Sequence, residues 1–181
     1  MHINLLPLEL ARWDQASGSD LFLVPIWSDV RPLRGAAGLL DWRLNGRLSA
    51  CLREQRFSGT CGEKLLVPTQ RIPWHAVLAM GQGASTTFDE AQYRAALSIG
   101  LATAKSMGRS ALALALPGRD LDRITPVRAV AILRELLEVQ GSLDSLTVVD
   151  SPAALKTLAE TLGVSAVPKK PKVGASVARR T

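Results

Sequence analysis

The residues best suited to chemistry in this sequence are glycines followed by hydroxyls. Gly81-Gln82-Gly83 closes an apolar run, and Ser85, Thr86 and Thr87 come directly after it. Backbone N–H groups at a turn of this kind hold anions, and neighbouring hydroxyls add donors. Gly81, Gly83, Ser85 and Thr86 are therefore candidates to hold a phosphate or a carboxylate. The same residues also fit a plain strand-to-helix turn in which Thr86 or Thr87 caps the helix. Position 86 is threonine, so the Gly-x-Gly-x-x-Gly dinucleotide fingerprint is incomplete.

Other chemistry has less to stand on. His75 has no partner at metal-ligand spacing and His2 sits at the start of the sequence, so no metal site is expected. Cys51 or Cys61 with His75 makes a nucleophile pair only by counting; free cysteines are the ordinary case. No cofactor is implied. Six arginines stand between residues 31 and 56 against Asp41 and Glu54, a local charge of +4. That patch reads either as a solvated helix face or as a contact for an acidic partner or a phosphate backbone, with Arg43 and Arg47 central to it. Trp42 lies among these arginines and suits a partly buried anchor or an interface; Trp13, Trp27 and Trp74 suit the core or its rim.

Charge is unevenly placed. The formal net charge is +6, but the last 17 residues hold Lys169, Lys170, Lys172, Arg179 and Arg180 and no acid, leaving residues 1–164 at +1. A globally basic nucleic-acid surface is not implied. The tail reads as a solubilising end or as a contact for nucleic acid, acidic protein or anionic lipid.

These candidates must be positioned by a fold, and the pattern specifies an α/β one. Ile3 to Leu10 reads as a first strand, and Pro7 places it at an edge. Leu21–Ile26, Lys64–Val67, His75–Met80, Ser110–Leu116 and Ser145–Val149 are further strands. Several are continuously apolar, as buried strands covered on both faces are. The return from Lys64–Val67 through Pro68–Pro73 looks like a hairpin, which predicts a mixed sheet. Arg31 to Gly38 reads as a loop. Leu40, Leu44, Leu48 and Leu52 then repeat every four residues and predict one helix over about 39–54, with Gly46 inside it marking close packing. Phe88–Ser106 is a long helix. Thr125-Pro126 and Ser151-Pro152 each start a helix, and Gly141 and Gly163 end them. The expected architecture is three-layer α/β/α. One domain spans residues 1–167, and 168–181 form a basic disordered tail. The longest apolar runs are too short to span a membrane, and no signal peptide is evident. Two cysteines without a secretory signal predict free thiols and a cytoplasmic protein.

Several of these pieces together resemble the N-terminal domain of the leucyl aminopeptidase (peptidase M17) family. They are the strand Leu21–Ile26, the helix after Gly38, Phe57-Ser58-Gly59 with Gly62-Glu63 before a short strand, and Val77 to Gly83 followed by the acidic start Asp89-Glu90. The resemblance implies a macro-domain-like mixed sheet flanked by helices. It places the family's metal-dependent catalysis in a separate C-terminal domain whose Asn-Thr-Asp-Ala-Glu-Gly-Arg segment this sequence lacks. Aminopeptidase activity is thus not expected. The first expectation is a non-catalytic interaction or regulatory domain that self-associates or docks on a protein partner. The alternatives are a macro-like binder of a nucleotide or ADP-ribose type molecule and a nucleic-acid-associated protein acting through its tail. For the binder, the loop Arg34-Gly35-Ala36-Ala37-Gly38 sits where macro domains place a glycine-rich diphosphate loop, which adds Arg34, Gly35 and Gly38 to the candidates. The Asn-Ala-Ala-Asn segment that usually precedes that loop is replaced by Pro25-Ile26-Trp27-Ser28-Asp29.

Overall fold

A computed structural model describes residues 2–16, 19–70, 72–141 and 143–164. Six strands form one sheet: β1 (His2–Pro7), β2 (Ser19–Ile26), β3 (Lys64–Pro68), β4 (Trp74–Gly81), β5 (Ala111–Ala115) and β6 (Ser145–Asp150). Their spatial order is β1-β6-β5-β2-β4-β3. Every neighbouring pair is parallel except β3–β4, so the sheet is mixed, with its antiparallel strand at one edge. The Pro7 strand is the other edge, as the proline requires.

Side-chain alternation divides the core between the two faces. Leu21 and Leu23 of β2, Leu78 and Met80 of β4 and Leu112 and Leu114 of β5 point to one side. There they meet α4 (Glu90–Ser106), α5 (Pro126–Gln140) and α6 (Pro152–Leu162). Phe22, Val24, Ile26, Val77, Ala79, Ala113 and Ala115 point to the other, under α1 (Leu10–Trp13), α2 (Gly35–Arg43) and α3 (Arg47–Arg53). Both faces of the central strands are thereby covered, which is why they read as unbroken apolar runs. Trp13, Phe22 and Trp74 pack as one aromatic group, with ring centroids 4.5–5.7 Å apart. Trp42 is the exception among the tryptophans, at 66% exposure.

Helix ends follow local chemistry. Thr125 and Ser151 cap α5 and α6 through their hydroxyls, with proline in the first turn of each. α4 is capped by Asp89 in a reciprocal box with Gln92; Thr86 and Thr87, the expected caps, lie instead in a short 3-10 turn, Ser85–Thr87.

The single helix expected over 39–54 is two. α2 starts at Gly35, inside the expected loop, and ends before Asn45 and Gly46, whose φ angles of 54° and 76° are left-handed. Gly46 has open space around its missing Cβ, so it serves this backbone turn and not close packing. The Asp41 carboxylate then accepts the Ser49 amide at 3.0 Å and its hydroxyl at 2.5 Å, satisfying the start of α3. Leu40, Leu44 and Leu48 stay buried across the break. The leucine spacing is thus the same for one helix or two.

Candidate functional site

Strand order determines where a site can form. From β2 the chain leaves through α2 and α3 toward β3 and β4; from β5 it leaves through α5 toward β6 on the other side. β2 and β5 are neighbours, so their carboxyl ends open a crevice where the connections part. This is the position at which open α/β sheets bind ligands. A cleft of about 260 Å3 lies there.

Its walls come from four segments. Pro25, Ala115, Leu116 and Val149 supply apolar surface at the strand ends. Arg34, Gly35, Ala36 and Ala37 bring in the start of α2. No side chain caps that helix, and the Gly35, Ala36 and Ala37 amides donate to no partner among the described residues. The first bonded amide is Gly38, to the Arg34 carbonyl at 3.0 Å. A helix start in this condition carries partial positive charge and free donors.

Arg119, Asp120 and Asp122, on the loop after β5, form the facing wall. Arg119 is nine-tenths buried and donates through Nε to Asp150 at 3.0 Å and through Nη1 to the Ile124 carbonyl at 2.8 Å. Asp150, at 4% exposure, also accepts the Ser151 amide at 2.7 Å. Each buried charge therefore has its opposite, which is the condition for holding both. The Asp120 carboxylate accepts the Trp27 indole N–H at 2.9 Å through Oδ2, tying the loop to the end of β2. Its Oδ1 is buried without a partner. Burial pushes the Asp120 carboxyl above the ordinary aspartate range, against the Trp27 hydrogen bond and the Arg34 charge that favour ionisation.

The residues singled out in the sequence separate into two groups. Arg34 and Gly35 line the cleft. Gly38 faces the chain below α2, where a Cβ would stand 2.6 Å from the Leu33 carbonyl oxygen. Gly81 and Gly83 do not line the cleft. Their amides are already spent: Gly81 donates to Glu63 O at 2.8 Å, Gln82 to Ile26 O at 2.9 Å and Gly83 to Gly59 O at 2.9 Å. A Cβ on Gly81 would lie 2.0 Å from the Thr60 carbonyl oxygen, so the glycine permits two backbones to touch. Ser85 gives its amide and hydroxyl to the Asp29 carboxylate at 2.9–3.1 Å, which holds that carboxyl below its usual range; Thr86 is exposed.

The arginine patch is also less free than its count suggests. Arg43 pairs with Asp14 at 2.5 Å, Arg47 donates to the Pro68 carbonyl at 3.1 Å, Arg56 pairs with Glu54, and Arg31 serves the Trp27 and Ser58 carbonyls. Lys169, Lys170, Lys172, Arg179 and Arg180 lie outside the described residues. Cys51 and Cys61 are free thiols. No helix among the described residues is long and apolar enough to cross a membrane.

Arg119, Asp120 and Asp150 were not reached from the sequence. The signal available was their place: a charged run directly after the Pro117-Gly118 strand stop, and an aspartate closing the last apolar strand. It becomes informative once strand order is known.

Comparison with known proteins places this geometry. The model of the N-terminal domain of the cytosol aminopeptidase family matches residues 23–138. No curated protein matches by sequence. Among solved structures, a mutant tomato leucine aminopeptidase is similar at 18% identity and TM-score 0.61, covering 90% of this chain and 35% of that one. The chain thus spans about a third of the tomato enzyme's length. The Trypanosoma brucei macrodomain in complex with ADP-ribose is similar at 20% identity and TM-score 0.65, covering 90% and 69%. A mutant Oceanobacillus iheyensis macrodomain is similar at 12% identity and TM-score 0.63, covering 89% of each chain. At these identities the likeness is one of fold, and the fold is macrodomain-like.

Proposed function

Because the chain belongs to the cytosol aminopeptidase family through its N-terminal domain, we propose that it acts as a non-catalytic binding domain whose cleft takes a compact anionic molecule. The observation that carries this reading is the trio of Gly35, Ala36 and Ala37 amides, which have no partner among the described residues and belong to residues lining a cleft on the sheet's switch point. The non-catalytic part is supported by the identity of the matching region, which is the family's N-terminal domain. The macrodomain likeness supports the ligand class: two of the similar Trypanosoma brucei structures hold ADP-ribose and ADP, both phosphate anions. The two free thiols support a reducing, cytoplasmic setting.

Calorimetry with inorganic phosphate, ADP and ADP-ribose tests the reading. At least one is expected to bind the wild-type chain and to bind Gly35→Ala at least tenfold more weakly. No heat from any of them at millimolar concentration overturns it.

A second reading, docking on a protein partner or on a second copy, rests on Trp42. Its ring is two-thirds exposed on the last turn of α2, with the Arg43 guanidinium 5.4 Å from its centroid. Tryptophan and arginine are the residues that most often anchor interfaces. α2 therefore joins the two readings, with the cleft at its first turn and this pair at its last. Sedimentation of wild-type and Trp42→Ala chains decides whether self-association runs through it.

A further inference from the structure

β3 is an edge strand, and its outer side is open. Two bonds at the ends of the β3–β4 ladder fix its phase. Gly81 donates to the Glu63 carbonyl at 2.8 Å, and Thr69 donates to the His75 carbonyl at 3.0 Å. Bonding alternates along an antiparallel pair. Leu65 and Val67 therefore bond to β4, while Lys64 and Leu66 turn their N–H and C=O groups outward. Pro68 also faces outward; it has no N–H, and Arg47 Nη1 occupies its carbonyl at 3.1 Å. Among the described residues nothing takes up the Lys64 and Leu66 groups. Lys64 and Leu66 stand opposite Met80 and Leu78, so their side chains lie on the α4 face. α4 leaves that margin open: Leu66 is 46% exposed and Ile99 39%. A cavity of about 60 Å3 sits beside it, lined by Gly62 and Lys64 from β3 and its approach and by Ala95, Ala96 and Ile99 from α4. Outward-facing strand groups beside an exposed leucine are a template for another strand.

We propose that β3 pairs antiparallel with β3 of a second copy, joining two six-stranded sheets edge to edge about a twofold axis at Leu65. This surface is separate from the cleft and from Trp42. The edge is complementary to itself in this register. Lys64 of each copy faces Leu66 of the other, and the two residues exchange both backbone bonds. No like charges meet. The second copy's Leu66 lies beside Lys64, at the mouth of the small cavity, and the contact repeats reciprocally, as a twofold interface requires. Pro68 falls opposite Gly62, whose N–H is already bonded to the Gly81 carbonyl at 3.2 Å, so neither residue leaves a broken pair. The neighbouring registers are worse. An axis at Lys64 sets two lysines against each other. An axis at Leu66 sets Lys64 against Pro68, which has no donor and whose carbonyl Arg47 already holds. Lysine and proline are residue types that blunt strand edges; the Leu65 axis is the one that keeps both out of conflict.

Sedimentation of the full chain from about 10 μM to about 1 mM, the range of small transient contacts, tests this. The wild-type chain is expected to dimerise within that range. Leu66→Lys sets lysines opposite each other and is expected to weaken the dimer at least tenfold. Adding Lys64→Glu to that variant pairs opposite charges and is expected to restore the dimer. Trp42→Ala is expected to leave it intact. With Cys51 and Cys61 replaced by serine, Leu65→Cys is expected to form a disulfide between copies on mild oxidation. Residues facing each other in a non-hydrogen-bonded pair have Cα atoms about 4.5 Å apart, within disulfide reach. A chain that stays monomeric throughout overturns the proposal. So does a dimer that is indifferent to Leu66→Lys, that Lys64→Glu does not restore, or that is lost with Trp42→Ala alone, and so does a folded Leu65→Cys chain that does not cross-link. Should Leu65→Cys not fold, the charge exchange decides alone.

Discussion

Gly35 and Asp120 stand in direct contact across the mouth of the cleft, one on the first turn of α2 and the other on the loop after β5. The glycine has φ +53° and would place a Cβ 3.0 Å from the Asp120 Cβ. Only a residue without a side chain lets the helix start approach the carboxylate this closely. Gly35→Ala is expected to cost about 1–2 kcal/mol in urea denaturation, from the left-handed backbone alone. A wild-type midpoint in the variant would contradict this.

Asp120 gives a pH dependence of definite sign. Burial raises its folded-state pKa above the unfolded value. Its contribution to stability is therefore present below the ordinary aspartate range and lost as the pH rises through the raised value. Asp120→Asn keeps an acceptor for Trp27 and removes the buried charge. The variant is expected to melt above wild type at pH 7, with the gap closing toward pH 3. A gap that widens on acidification would contradict the assignment.

Glu63 behaves in the opposite sense. Its Oε2 accepts the Ser58 hydroxyl at 2.7 Å and the amides of Ser58, Gly59 and Thr60 at 2.9–3.2 Å. The Ser58 hydroxyl above all holds the carboxyl below its ordinary range. That stability is present above the ordinary glutamate pKa and is lost as the pH falls through the lowered one. Glu63→Gln is expected to cost about 1 kcal/mol at pH 7, the lower end for a charged hydrogen-bond acceptor because the site is open to solvent. The cost should fade as the pH falls below the glutamate range.

Trp42→Ala is expected to leave the melting temperature nearly unchanged, within about 0.5 kcal/mol, because the ring buries little within the chain. A change in sedimentation at the same substitution would show what the ring is for. A large loss of stability would return Trp42 to the core.

Much of the fold was legible because its signals are local. Thr125-Pro126 and Ser151-Pro152 start α5 and α6, and Gly141 and Gly163 follow their last residues. The break at Asn45-Gly46 was not legible, because the leucines bury equally with or without it. The site was half legible for a different reason. Arg34 and Gly35 carry a local glycine-loop signal. Asp120 and Asp150 meet them only because β5 lies beside β2 and β6 beside β5, a non-local fact. The Gly81 turn resembled an anion cradle until Gly59 and Glu63 came back over it and took up its donors.

The central claim is that the start of α2 is the binding element, and amide-resolved NMR tests it most directly. On titration with phosphate, ADP or ADP-ribose, the Gly35, Ala36 and Ala37 amides are expected to shift together with Arg119 and Asp120, while Gly81 and Gly83 stay in place. Shifts at Gly81–Gly83 with silent Gly35–Ala37 amides would contradict the account.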